Sequence, residues 1–158
     1  MNSFNVFLDS NEYKRCGHNF SCTPMKKLQE LSKNGTIQLL ITNVVESEVS
    51  QHIKKDVQSF LEGQRKLSKN AGVIRNIPEF SDIIRKVNEA EVYASAEKAF
   101  QDFITENNFE KVSSNGINND ALLADYFARR LPFEDNTKKA AEFKDAFIVY
   151  ALRKYADI

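Results

Sequence analysis

The chain has 158 residues, the size of one ordinary domain. Lys and Arg number 22 and Asp and Glu 22, so the formal net charge is zero. That excludes a uniformly basic nucleic-acid binder and an acidic tail protein while leaving room for a local patch. With 42% hydrophobic and 11% aromatic residues, the chain has enough apolar surface for a core and too much for disorder. No apolar run approaches the roughly 20 residues of a bilayer span, and no apolar segment follows Met1. The expectation is a cytoplasmic protein with no membrane contact.

Phe4-Asn5-Val6-Phe7-Leu8 is β-branched and aromatic and stops at Asp9-Ser10-Asn11, which predicts a buried strand with a polar loop at its carboxyl end. Thr23-Pro24 opens a helix, with Thr23 as cap and Pro24 at the first helical position, and Asn34-Gly35 ends it. Residues 36–41 predict a second strand. Thr42 or Asn43 then caps a helix whose apolar positions Val45, Val49, Ile53, Val57 and Phe60/Leu61 recur every three to four residues. Strand, helix, strand, helix in about sixty residues implies a parallel βαβ unit.

Beyond residue 64 the pattern changes. Residues 64–79 are Lys-rich, and Asn70, Gly72 and Pro78 interrupt any long helix. Helical spacing resumes over 80–107 through Phe80, Ile83, Ile84, Val87, Val92, Ala96, Phe100, Phe103 and Ile104, a stripe read as core. Residues 52–70 hold five basic and two acidic residues, whereas 79–110 hold eight acidic and three basic. The basic side chains Lys54, Lys55, Arg65, Lys66 and Lys69, with Arg129 and Arg130, are candidates for phosphate contact or a solvated surface. Further helices are expected from Asp120 to Arg130 and from about Lys138 to Tyr155.

Three acids stand out by position. Asp9 ends the first strand, Glu48 lies in the first two turns of the helix after the second, and Asp145 sits in Lys144-Asp145-Ala146-Phe147 beside an apolar helix face. Ligands of open parallel sheets gather beyond the carboxyl ends of the strands, an edge both Asp9 and Glu48 reach. A carboxylate beside an apolar face is costly without a partner, and a divalent cation would explain Asp145. Glu46 competes with Glu48 as an acid near a helix start.

This combination resembles the PIN-domain nucleases, the family of the VapC-type toxins, and within it the subgroup with a Lys-Asp-Ala motif before an apolar helix. The strand-Asp-Ser/Thr-Asn motif is matched by Phe7-Leu8-Asp9-Ser10-Asn11, the second acid by Glu48 and the third by Asp145. Residues 4–60 and 130–155 carry the resemblance. It implies an α/β fold, a PIN-like parallel sheet flanked by helices with residues 64–130 as a large helical insertion. It further implies hydrolysis of RNA phosphodiesters with Mg²⁺ or Mn²⁺ held by Asp9, Glu48 and Asp145, Asp9 being the carboxylate shared where two ions bind. Ser10 and Asn11 would orient Asp9 or meet a phosphate, and Lys144 would touch the substrate backbone. The partners implied are RNA, an antitoxin or complementary protein fragment, and a second copy of the chain.

One departure sets a second expectation beside the enzyme. In the family the helix bearing the third acid leads into another strand and a loop with a further Asp; here the sequence stops at Ala156-Asp157-Ile158. The chain therefore reads as one PIN-like domain over 1–158 lacking its C-terminal strand and last acidic loop. In that reading it is a catalytically incomplete module that binds RNA or protein. Two other constellations read as ordinary surface. Cys16, His18 and Cys22 lack a fourth zinc ligand, so the cysteines are expected to be reduced thiols. Glu48, His52 and Asp56 share a helix face without a zinc-motif spacing.

Overall fold

A computed structural model describes residues 3–79, 87–133 and 139–156. Three parallel strands form the sheet in the order β1-β2-β3: β1 Phe4–Phe7, β2 Ile37–Thr42 and β3 Glu110–Val112. The described helices are α1 Ser10–Arg15, α2 Thr23–Lys33, α3 Asn43–Asn70, α4 Glu89–Glu106, α5 Asn119–Phe127 and α6 Lys139–Tyr155, with a 3₁₀ segment at Gly72–Asn76. The expected parallel sheet flanked by helices is thus present. Phe80, Ile83 and Ile84 of the expected 80–107 helix, together with Lys138 and Asp157, lie outside the described residues.

Central strand β2 is buried along nearly its whole length, as a parallel strand covered on both faces must be. Leu39 and Ile41 join Tyr13, Val45, Val49, Phe100 and Phe103 in the main core. Leu40, pointing the other way, packs with Val112 and with Ala151 of α6. Helix α3 presents Val45, Val49, Ile53, Val57 and Leu61 inward at four-residue spacing. The Phe60/Leu61 alternative resolves to Leu61, since Phe60 remains 58% exposed.

The structure corrects several sequence boundaries. No loop follows β1: Asp9 is the N-cap of α1, which starts at Ser10, because an Asp side chain serves a helix start as readily as a turn. Helix α2 includes Thr23 and is preceded by Cys22, so Pro24 occupies its second position. Helix α3 continues past residue 64 and ends at Asn70, with Ala71 as C-cap, so the first part of the Lys-rich stretch forms its solvated last turns and the chain breaks at the expected Asn70. Helix α5 ends at Phe127 because Arg129 turns to φ +52°. Within the stretch read as helical, Glu110-Lys111-Val112 adds a third strand. Three residues with one buried apolar side chain have no readable alternation, and pairing with β2 makes the strand.

Thr42 joins β2 to the site-bearing helix. Its hydroxyl, fully buried, accepts the Val45 amide at 3.2 Å and so caps α3. Thr42→Ala is expected to cost about 1–2 kcal/mol, read as a lower urea midpoint at unchanged slope. An unchanged midpoint would show that water replaces the cap.

Candidate active site at the carboxyl edge of the sheet

Parallel pairing sets the edge. Phe7 lies opposite Leu40, so Asp9 and Thr42, each two residues further on, stand at the same level where both chains turn into helices. Asn11 holds the Asp9 carboxylate at Oδ2 through its side-chain amide at 2.8 Å and its backbone N–H at 3.4 Å. Ser10 is buried at the first position of α1. The structure therefore puts Asn11 in direct contact with Asp9.

Glu48 is half-buried in the second turn of α3, and α6 packs across α3 and β3. Lys144 of α6 donates to Glu48 Oε1 at 3.0 Å, 96 positions away in the chain. Next to it, Asp145 is exposed overall, yet part of its carboxyl is shielded from water. Burial first, then the charges of Asp9 and Glu48, raise its pKa above the ordinary 3.8, and Lys144 opposes the rise. Asp9, Glu48, Lys144 and Asp145 are thereby joined through one electrostatic field. Glu46 takes a different direction, bonding Lys111 of β3 at 2.8 Å and Gln101 of α4 at 3.3 Å.

Carboxylate oxygens are the donors that hard divalent ions take, so the set fits Mg²⁺ or Mn²⁺ in kind. As placed, no three His, Cys, Asp or Glu side chains among the described residues form a group that could hold an ion. Like charges explain the spacing: each carboxylate lowers its energy by finding another partner, Asn11 for Asp9 and Lys144 for Glu48.

The raised Asp145 pKa has a sign in stability. The folded protein binds this proton more tightly than the unfolded chain, so stability falls as pH rises between 3.8 and the raised value, and the penalty persists at neutral pH. Asp145→Asn is expected to raise the neutral-pH melting temperature in chelator by on the order of 1–2 °C, solvent keeping the effect small. The difference should vanish below about pH 3, where the carboxyl is protonated in the folded and the unfolded chain alike. A lower melting temperature for Asp145→Asn at neutral pH would contradict the crowding of charge.

Of the basic candidates, Arg65 is tied to Glu89 and Arg130 lies 3.6 Å from Asp125, while Lys54, Lys55, Lys66 and Lys69 are exposed. Cys16 and Cys22 are free thiols. A hydrogen bond between them, with burial, pushes the Cys16 thiol up to about 11. Two contacts escaped the sequence reading. His18 meets Asp56 across 38 residues, and Asn43 accepts the Ser114 amide just after β3; neither pair has a local signature.

Among the described residues no helix is long and apolar enough to cross a membrane. Comparison with curated proteins and with solved structures gives no match. A family model described as PIN domain matches residues 6–158, from β1 to the last residue, taking in all three acids. The chain belongs to the PIN-domain family.

Proposed function

We propose that the chain is a PIN-type endoribonuclease that hydrolyses RNA phosphodiesters with Mg²⁺ or Mn²⁺ held by Asp9, Glu48 and Asp145. The observation that carries this is that α1, α3 and α6 bring Asp9, Glu48 and Asp145 to one edge, where Asp145, partly desolvated, also feels the charges of the other two. A cation at this edge would offset the repulsion that remains among the three. When bound, the ion supplies an activated water and charge neutralisation at the phosphate. The chain's own residues supply position. Asn11 fixes the Asp9 carboxylate, and Thr42 anchors the helix that presents Glu48. Lys144 balances Glu48 in the protein alone, and an RNA phosphate offers its ammonium an alternative partner.

A second reading is favoured by one observation, the lack of a ready three-donor group among the described residues. It makes the chain a PIN-like module that binds RNA or protein without cutting. Assay of labelled single-stranded RNA with Mn²⁺ separates the two. Cleavage that chelator stops supports the enzyme, whereas salt-sensitive RNA binding without cleavage favours the module. The single-domain organisation over 1–158, an antitoxin-like or complementary-fragment partner, self-association and a cytoplasmic location accompany this proposal on family grounds.

A further inference from the structure

His18 and His52 are the two histidines of the chain, and they meet where α1 packs on α3. After α1 the backbone turns through Gly17 and His18 at φ +59° and +53°, and the His18 amide closes the turn on the Tyr13 carbonyl at 3.0 Å. The His18 side chain is left only 8% exposed, with Nδ1 2.7 Å from Asp56 Oδ2. Ionised, a carboxylate only accepts, so Nδ1 carries the proton and Nε2 of the neutral ring keeps its lone pair. That Nε2 is buried without a hydrogen-bond partner, and so is Nδ1 of His52. The ring centroids stand 6.0 Å apart.

We propose that His18 Nε2 and His52 Nδ1 together bind one imidazole-preferring divalent ion of the Zn²⁺ class, with Asp56 as the carboxylate behind His18. Two buried nitrogens with no partner are costly, and one ion satisfies both. Two bonds of about 2.1 Å each reach nitrogens up to about 4 Å apart, a spacing that rings at this separation can present. The Asp56–His18 bond supplies the carboxylate–histidine pairing that fixes tautomer and ring orientation behind a metal ligand. Charge at the seam is mixed. Burial, His18, Lys14 and Lys55 disfavour a proton on His52 and Glu48 favours one; the balance lowers its pKa and keeps the ring in its ligating neutral form. Imidazole nitrogens favour Zn²⁺, Ni²⁺ or Cu²⁺ over Mg²⁺. Two protein donors are fewer than the three or four of an ordinary zinc site, so the ion is expected to be held more weakly than in one. None of the three residues belongs to the carboxylate set, so the inference stands apart from the nuclease reading.

The test uses the full chain labelled with ¹⁵N, whose two histidines give a ring spectrum with two spin systems. In its neutral ring His18 should read as protonated at Nδ1 and bare at Nε2. Zn²⁺ added in the presence of excess Mg²⁺ should move His18 Nε2 and His52 Nδ1 together and saturate at one equivalent. Replacing either histidine by Gln should weaken binding at least tenfold, and Asp56→Ala about ten- to hundredfold. Asp9→Asn should leave the titration unchanged, separating this site from the carboxylates. The opposite His18 tautomer, a response of one ring alone, or no response of either ring overturns the proposal. These readouts come from the unmutated protein and stand even if a variant fails to fold.

Discussion

Asp9→Asn is expected to lower Mn²⁺-dependent RNA cleavage more than about 100-fold while leaving the fold intact. The magnitude follows from position: substituting even an outer partner of a ligand costs about 10–100-fold, and Asp9 is proposed to touch the ion directly. Asn is as good an N-cap as Asp, and its amide oxygen can accept from Asn11 as the carboxylate does. Removing the charge therefore isolates chemistry from stability. Glu48→Gln and Asp145→Asn should behave alike, because all three side chains contribute to one field. Glu46→Gln is the internal control: its carboxylate is spent on Lys111 and Gln101, and activity should change less than about threefold. Cleavage that survives both Asp9→Asn and chelator sinks the metal-dependent mechanism. Loss of activity in Glu46→Gln with retention in Glu48→Gln would move the second acid by two residues.

Much of this arrangement can be read along the chain because local rules and tertiary needs agree. β1 and β2, the Thr42 cap and the four-residue stripe of α3 each carry their own signal, and together they place Asp9 and Glu48 at one edge. The Phe100, Phe103 and Ile104 stripe is buried core as its spacing implies. What the sequence hides is whatever depends on a distant partner. β3 exists through its pairing with β2, and His18 is buried only because a left-handed turn returns it to α3. Taken singly, His18, His52 and Asp56 look like surface; the contact across 38 residues has no periodicity to betray it. Lys144 is similar. Its neighbour in sequence is Asp145, yet its ion pair is with Glu48 on another helix.

The core behind this edge sets the largest stability effect. Phe100 of α4 is fully buried, stacked on Phe20 at 5.6 Å between centroids and edge-on to Tyr13 at 5.8 Å. Tyr13 lies on α1, whose first residue follows Asp9, and Phe20 follows the His18 turn, so the ring cluster backs both the proposed carboxylate site and the histidine pair. Phe100→Ala removes a ring that close-packed neighbours cannot refill and is expected to cost about 3–5 kcal/mol. Single domains are stable by about 5–15 kcal/mol in total, so the variant should melt about 6–20 °C lower. Phe60→Ala, at a 58% exposed position on α3, should stay within about 0.5 kcal/mol of the parent. Denaturant curves on the two variants decide the matter. A loss below about 1 kcal/mol at Phe100, or equal losses at both positions, would mean that α4 does not seal the core against α1. Cleavage by Phe100→Ala should recover on cooling as the folded fraction returns, whereas the defect of Asp9→Asn should persist at every temperature.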